Sequence, residues 1–462
     1  MRQFFYPSSI VIFGVADKPT NLAKNIILNC QEMGFQGEIY PVGKTPGMVY
    51  GKEIITDPES LPRGVDLAVI LVPANVVAEI LDLCGQKGIH HAIISTGGFR
   101  EFSQQSNQAE EDVLAAAKRY GIRFLGPNCI GVMCTGSGLC TPFNPLEPRR
   151  FKKAPVSLII QSGGVTTQCA YHFSDEHVGF SKIISAGNKL TIDEIDLMKY
   201  LMEDEETEQI HLYLESIEDG RELTRLARQS KKPIVILKAN VSDTASGVAK
   251  SHTAALSNND SIVEGAMRQA GIIRAQDIHD MTVCAKALTL PPLQGDRLVA
   301  LSMSGGFSVI LGDACEKYRF TCPALPRDLL DKIESFRRGG VIRMSNPMDL
   351  GDIYDIGALI FALKQCLALD YIDGLVLSFV YEPQLITIFG RGIGTPGQIM
   401  MFFKSLCEEN NKPIAVSLIG ERQYVEEFKK INTFPVFDDP VESVRALRVS
   451  RDYWRGRSAD RS

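Results

Sequence analysis

Three open α/β domains, each built on a mainly parallel sheet, are the fold class this 462-residue sequence predicts. Three observations lead there. In the N-terminal third, short apolar runs alternate with longer amphipathic stretches, the pattern of parallel strands joined by crossover helices. After that third the chain repeats itself. Ser157–Gly164 (SLIIQSGG) is echoed by Leu298–Gly306, Ile210–Glu215 (IHLYLE) by Gly374–Phe379, and Lys232–Leu237 (KPIVIL) by Lys412–Leu418, in the same order. Proline-bearing breaks, Thr141–Pro155 and Pro291-Pro292, separate the blocks and read as linkers. The expected spans are 1–140, 141–292 and 293–462.

Within the first span the elements follow one another regularly. Ser9–Val15 (SIVIFGV) reads as a buried strand ending in Gly14. Asn21–Met33 has helical spacing, with Leu22, Ile26, Ile27 and Cys30 apolar. Glu38–Val42 and Leu67–Val72 are strands, Val76–Lys87 a helix, Ala92–Ser95 a strand, Glu110–Tyr120 a helix, and Arg123–Leu125 a short strand before Gly126-Pro127-Asn128. In such a sheet ligands bind beyond the carboxyl ends of the strands.

Composition narrows the function. Lys and Arg number 49 against 55 Asp and Glu, a net charge of −6, which argues against a nucleic-acid binder. Basic residues between Arg319 and Arg343 alternate with acids and prolines and read as a solvated face. The 11 cysteines include no CxxC pair, and Cys129, Cys134 and Cys140 match no zinc spacing. Free thiols in a reducing compartment, and no metal site, are expected. No apolar run approaches the roughly 18 residues that span a bilayer, and the N-terminus lacks a secretory pattern. A cytoplasmic protein without membrane contact is expected.

Both repeats place Ser-Gly-Gly between a buried strand and a helix. Glycines there let amides approach an anion at the helix N-terminus, although a tight turn with an N-cap serine reads equally well. The copies differ in one respect. The first carries Lys250-Ser251-His252-Thr253-Ala254, whereas the last histidine of the chain is His279, so the second copy has none. That contrast suggests one active and one structural copy. Neutral imidazole is a good phosphoryl acceptor near pH 7, and a carboxylate on its other nitrogen would fix the tautomer. Glu215, ending an apolar strand, is the candidate carboxylate. A loop histidine satisfied by backbone, and an exposed strand-end acid or a helix N-cap partner, are the plainer readings of His252 and Glu215. His90, His91, His172, His177, His211 and His279 lack such a loop context. The first copy also has Ser185-Ala186-Gly187-Asn188, a second small-residue loop ahead of a helix, so two helix N-termini are expected to face one anion. In the first span Gly14-Val15-Ala16-Asp17 follows the first strand without the GxGxxG spacing of a dinucleotide fold. Lys44 follows the second strand, and Ser95-Thr96-Gly97-Gly98 follows the fourth. Tyr40-Pro41-Val42-Gly43-Lys44 offers no ribose-binding acid, which disfavours NAD and favours a phosphorylated, anionic nucleotide.

These residues, taken together, resemble the ADP-forming acyl-CoA synthetases of the acetate–CoA type, relatives of the succinyl-CoA synthetase alpha subunit. Ile12–Pro19, Tyr40-Pro41-Val42, Val72-Pro73-Ala74, Ser95–Phe99 and Gly126–Gly131 resemble the CoA-binding domain of that family. Gln161–Gly164, Ser185–Asn188, Leu214-Glu215-Ser216 and Ser251-His252-Thr253 resemble its ligase domains. The resemblance covers nearly the whole chain in order. It implies a Rossmann-like CoA-binding domain followed by two flavodoxin-like ligase domains. It also implies a reversible relay in which acyl-CoA and phosphate give an acyl phosphate and CoA. A histidine then takes the phosphoryl group, releasing the acid, and passes it to ADP. By this resemblance His252 is the phosphorylated residue and Glu215 its partner. Ser162, Gly163, Gly164, Gly187 and Asn188 line the phosphate site, and Gly14, Val15, Ala16, Asp17, Lys44, Pro73, Ser95, Thr96 and Gly97 contact coenzyme A.

Three departures accompany it. Ala254 replaces the glycine usual after Ser-His-Thr, at a cost of about 1 kcal/mol if that position is left-handed. Asn21-Leu22-Ala23 stands where a second glycine usually follows the nucleotide loop. No ATP-grasp domain is present, so ATP or ADP with Mg is expected on a separate ATP-grasp beta subunit, in an α2β2 assembly. The substrates implied are a small carboxylic acid and its CoA thioester. A CoA- or acyl-CoA-binding regulator of the same fold, without ligation, is the alternative that Ala254 keeps open.

Overall fold

The computed structural model describes residues 1–99, 107–242, 244–245, 259–336, 344–351, 353, 356–382 and 394–459. They form two compact units, Met1–Ile278 and His279–Ser462. Among the described residues no helix is long and apolar enough to cross a membrane.

The first unit opens with β1 (Ser9–Phe13) and β2 (Glu38–Val42), followed by a small antiparallel pair, β3 (Met48–Val49) and β4 (Lys52–Glu53). Then come β5 (Leu67–Ile70), β6 (His91–Ile94) and β7 (Arg123–Leu125). The sheet order is β2-β1-β5-β6-β7, and every pairing is parallel. Ile10–Phe13 and all of β5 are buried, as expected of central strands covered on both faces. The chain reverses direction between β1 and β5. In an open α/β sheet the carboxyl ends of the strands at such a switch point are the usual ligand position.

The second sheet of this unit contains β8 (Val132–Cys134), β9 (Leu139–Cys140), β10 (Val156–Ile160), β11 (Lys182–Ser185), β12 (Gln209–Leu214), β13 (Ile234–Lys238) and β14 (Ile273–Arg274). Its order is β14-β13-β12-β10-β11-β8-β9. The hairpin β8–β9 precedes residue 141 yet belongs to this sheet, with β8 antiparallel to β11. The stretch 141–155 is likewise no loose linker. Asn29 is fully buried. Its Nδ2 donates to the carbonyls of Pro142 and Asn144 at 2.8 Å, and its Oδ1 accepts from the Leu146 amide at 3.3 Å. A buried amide needs all its partners, and here they strap the stretch against the helix Ala23–Met33.

The second unit has β15 (Leu298–Ser302), β16 (Met348–Asp349), β17 (Gly374–Val380), β18 (Ile414–Ile419) and β19 (Val436–Phe437), in the order β16-β15-β17-β18-β19. This is the order of β11-β10-β12-β13-β14 in the first unit, so the sequence repeat is a repeat of topology. Register aligns the copies residue by residue. Ile160 pairs with Ser185 and Tyr213, whereas Ser302 pairs with Asp349 and Ser378. Even a capping lysine is shared. Lys232 donates to the carbonyls of Leu201 and Asp204, and Lys412 to those of Leu367 and Leu369. The helix Ile278–Ala287 lies ahead of Pro291-Pro292 but packs inside the second unit, through an Asp280–Arg445 ion pair at 2.9 Å and a hydrogen bond from Lys286 to the Val436 carbonyl.

Candidate functional site

The loops that follow β1, β5, β6 and β7 form one continuous row. Gly14 has φ +94°, and a Cβ there would lie 2.0 Å from the Leu71 carbonyl oxygen, so the loops after β1 and β5 touch. The Gly14 and Val15 amides both donate to the Val42 carbonyl, at 3.1 and 3.0 Å. They close the gap between β1 and β2 and are not aimed at a ligand, and the Val15 side chain is core. Of the four residues named in this loop, Ala16 and Asp17 remain at its open end. Asp17 and Lys44 are exposed on facing loops, and a Cβ on Gly47 would approach Asp17 Cβ to 3.2 Å. Asn21, at the position of the absent second glycine, donates to the Gly14 carbonyl at 2.9 Å and accepts from the Lys24 amide at 3.1 Å. It ties the loop to the start of the helix Ala23–Met33.

Pro73 is exposed and precedes a short 3-10 turn, Ala74–Val76. Thr96 clasps this loop, donating from Oγ1 to the Val72 carbonyl at 2.8 Å and accepting from the Val72 amide at 3.3 Å. The Ser95 hydroxyl is buried without a hydrogen-bond partner among the described residues. The Thr96 carbonyl accepts the Asn128 amide at 2.9 Å, and a Cβ on Gly97 would lie 3.3 Å from Asn128 Oδ1. The row thus continues into Gly126-Pro127-Asn128.

Here the two sheets of the first unit are laced together. The Asn188 amide donates to the Pro127 carbonyl at 2.9 Å, and the Leu190 amide to the Gly126 carbonyl at 3.1 Å. The Ser185 hydroxyl accepts the Ile130 amide at 3.1 Å. Gly187 has φ +61°, and a Cβ there would lie 2.3 Å from the Pro127 oxygen. Ile130 in turn lies against Gly163. Ser162 is the N-cap of the 13-residue helix Gly163–Asp175 and makes no capping hydrogen bond. The first amides of a helix have no intrahelical acceptor, and the space around Gly164 is open. This end of the helix can receive an anion. The second helix expected to face that anion does not do so with free amides. The helix Glu194–Glu203 is capped by Asp193, whose Oδ1 accepts from the Ile195 and Asp196 amides at 2.9 and 3.0 Å.

Glu215 stands just beyond β12, half-buried, with the Tyr213 hydroxyl 3.5 Å from its Oε1. Its backbone is fixed from several directions. Gln161 Oε1 accepts the Glu215 and Ser216 amides at 2.9 and 3.1 Å, and Lys238 donates to the Glu215 carbonyl at 2.9 Å. Lys189, adjacent to Asn188, donates to the Ser216 carbonyl at 3.1 Å and forms a buried ion pair with Glu194 at 2.9 Å. Burial pushes the Lys238 ammonium down to about 8, with Asp260 the largest opposing influence. Gln161, Lys189, Lys238 and Asn128 were not singled out by residue type as functional. His252 and the loop 246–258 lie outside the described residues. His211 is fully buried, and burial pushes its imidazole down to about 3, which suits a neutral core residue. Every cysteine is a free thiol.

Comparison with known proteins places these features in context. A CoA binding domain family matches residues 8–135, and a succinyl-CoA ligase like flavodoxin domain family matches residues 153–288. The alpha subunit of acetate–CoA ligase (ADP-forming) I from Pyrococcus furiosus is 30% identical over 97% of this chain and 96% of its own length. The corresponding alpha subunit II from the same organism is 34% identical over 75% of each. An acetate–CoA ligase (ADP-forming) II from Archaeoglobus fulgidus is 29% identical over 99% of this chain and 67% of its own length. Among solved structures, the dinucleotide forming acetyl-coenzyme A synthetase 1 of Ca. Korarchaeum cryptofilum, in complex with phosphate and ADP, superposes with a TM-score of 0.84. It is 27% identical, covering 99% of this chain and 97% of the other.

Proposed function

The chain belongs to the ADP-forming acyl-CoA synthetase family as an alpha subunit, and on that premise we propose how its parts divide the work. It is the CoA-binding subunit of an acid–thiol ligase and acts with a beta subunit. Coenzyme A lies along the strand ends of residues 1–140, with Ala16, Asp17 and Lys44 at its phosphates and Pro73, Ser95, Thr96 and Gly97 beside the remainder. Phosphate sits at Ser162-Gly163-Gly164 with Gly187 and Asn188. Residues 141–292 carry the reacting loop, and 293–462 form the second, structural ligase domain. Phosphate attacks the thioester carbonyl, the CoA thiolate leaves, and acyl phosphate forms. His252 then attacks phosphorus, the carboxylate departs, and the phosphohistidine is held in one tautomer by Glu215. An ATP-grasp beta subunit supplies ADP and Mg in an α2β2 assembly.

The observation that carries this reading is the lacing of Gly126–Asn128 to Gly187–Leu190, together with Ile130 against Gly163; it supports a CoA site next to an anion seat at that helix N-terminus. That helix end is worth about 0.3–2 kcal/mol to a fixed anion. The helix of the second copy has a carboxylate at the same place, since a Cβ on Gly305 would lie 2.8 Å from Asp349 Oδ2. This fits a seat closed to phosphate. The test is phosphorylation. With the beta subunit and ATP, acid-labile and base-stable label should appear on His252. His252→Asn should abolish label and turnover while leaving CoA binding within about threefold, since its effect belongs to the transfer step. Label on serine in an active complex would overturn the assignment.

A further inference from the structure

The duplicated scaffold is an internal control, because one copy keeps the fold without the chemistry proposed for the other. Register makes the comparison exact at the strand ends. Ile160 corresponds to Ser302, Tyr213 to Ser378 and Leu237 to Ser417. One or two residues further on, Gln161 corresponds to Met303, Glu215 to Val380 and Lys238 to Leu418. Ser-Gly-Gly is kept in both copies, and so is the capping lysine, Lys232 or Lys412. The capping lysine, which serves the fold, is thus retained, whereas the connected polar group of Gln161, Glu215 and Lys238 has no polar counterpart in the second copy. Gln161 binds the amides of Glu215 and Ser216, and Lys238 binds the Glu215 carbonyl.

Lys238 is the member of that group no sequence motif pointed to. It is 4% exposed. Its ammonium also donates to the neighbouring Ala239 carbonyl. Beside it, Asn240 has φ +57° and is 7% exposed, and neither atom of its side-chain amide has a partner among the described residues. A lysine needed only to satisfy carbonyls would be expected in both copies, as Lys232 and Lys412 are. We infer that Lys238 is a positioning residue for phosphoryl transfer. It fixes the Glu215 backbone and places a buried positive charge beneath the ends of β12 and β13. The inference rests on the phosphohistidine reading above.

Its charge state supplies a readout that a packing role would not. Burial depresses the ammonium, Asp260 and Glu215 oppose this, and Arg274 and Lys189 add to it, leaving a value of about 8. The charged form is present below that pH and lost above it. The rate of histidine labelling in the complete complex, followed from pH 6.5 to 9.5 with CoA affinity in parallel, tests the idea. The wild-type rate should fall above about pH 8. Lys238→Arg keeps its charge throughout, because a guanidinium titrates above 12, so its alkaline limb should disappear. Lys238→Leu, which copies the second repeat, should slow labelling about tenfold or more at every pH, with CoA affinity unchanged. Wild-type rates and an unaltered alkaline limb in both variants would overturn the role of Lys238 while leaving the histidine reading intact. Absence of label in the wild-type complex would instead remove that reading. Should Lys238→Leu fail to fold, Lys238→Arg alone decides through its pH profile.

Discussion

A side chain at Gly187 would collide with the Pro127 carbonyl, and its φ of +61° is one that residues with a Cβ adopt only under strain. Gly187→Ala should therefore push the Ser185–Asn188 loop off Gly126–Asn128. The expected result is a stability loss of about 1–3 kcal/mol. Turnover should fall about tenfold or more, because small misplacements near reacting atoms are costly. Thermal melts and steady-state rates on the complex would check it, and a variant with wild-type rates would remove the loop from the site. The left-handed backbone of Gly187 and the helix start at Ser162-Gly163-Gly164 were legible in the sequence, because glycine before a helix marks such backbone positions. Lys189 and Lys238 were not. Their partners are carbonyls 27 and 23 residues away, and nothing local in the sequence marks such pairings. The Gly14 and Val15 amides misled for a similar reason, since the acceptor that occupies them, Val42, lies on a different strand.

Among elements, β11 shows how a strand can be held from its buried side by charge. Lys182 is fully buried and pairs with Asp204 at 2.8 Å and Glu206 at 3.5 Å, while Lys153 and the Tyr6 hydroxyl also bind Glu206. Burial raises the Glu206 carboxyl, but Lys153, Tyr6 and Lys182 outweigh it and hold the group down to about 2, against an ordinary 4.5. The folded value is the lower one. The stabilisation is thus fully present above about 4.5 and is lost as pH falls from there toward 2. Glu206→Gln should cost on the order of 1–2 kcal/mol at pH 7, reduced by solvent screening of a partly exposed group. The gap to wild type should narrow between pH 5 and pH 3. Urea midpoints at those pH values would show it, and a constant gap would exclude the mechanism. At this scale the sequence located most strands within a residue or two, since Glu38–Val42 and Arg123–Leu125 agree and Leu67–Val72 ends two residues early at Ile70. Periodicity reports burial well and termini poorly. It could not show that β8–β9 joins a sheet whose other strands begin at residue 156, because sheet membership is a matter of long-range pairing.

For the molecule as a whole, the division at residue 278 sets which pieces can stand alone. A fragment ending at residue 140 would leave the edge of β8 without β11, exposing Val132, Met133 and Cys134, and would strand Asn29 without its carbonyls. Unpaired apolar edges of this kind aggregate. The fragment 1–278 keeps both sheets. It should fold cooperatively by circular dichroism and bind CoA, but not NAD, in calorimetry, whereas 1–140 should be aggregated or molten. A soluble, CoA-binding 1–140 fragment would show that the second sheet contributes nothing to the first. The three main sheets were legible through the repeat and the strand alternation, but prolines mark where the backbone turns and not where one compact unit stops.

The stitching of Gly126–Gly131 to Ser185–Leu190 bears on how such proteins can be recombined. Cofactor domains are commonly treated as exchangeable modules, cut at the nearest linker. Here the stretch 141–155, which the sequence marks as a linker, is the wrong place for the scissors, because the contacts that join Gly126–Gly131 to Ser185–Leu190 lie on both sides of it. A chimera that brings in a foreign CoA domain would need to carry residues 126–140 and 185–190 as a matched set. A graft cut at residue 140 would separate the two halves of that set and lose the contacts from Asn188 and Leu190 to Gly126 and Pro127.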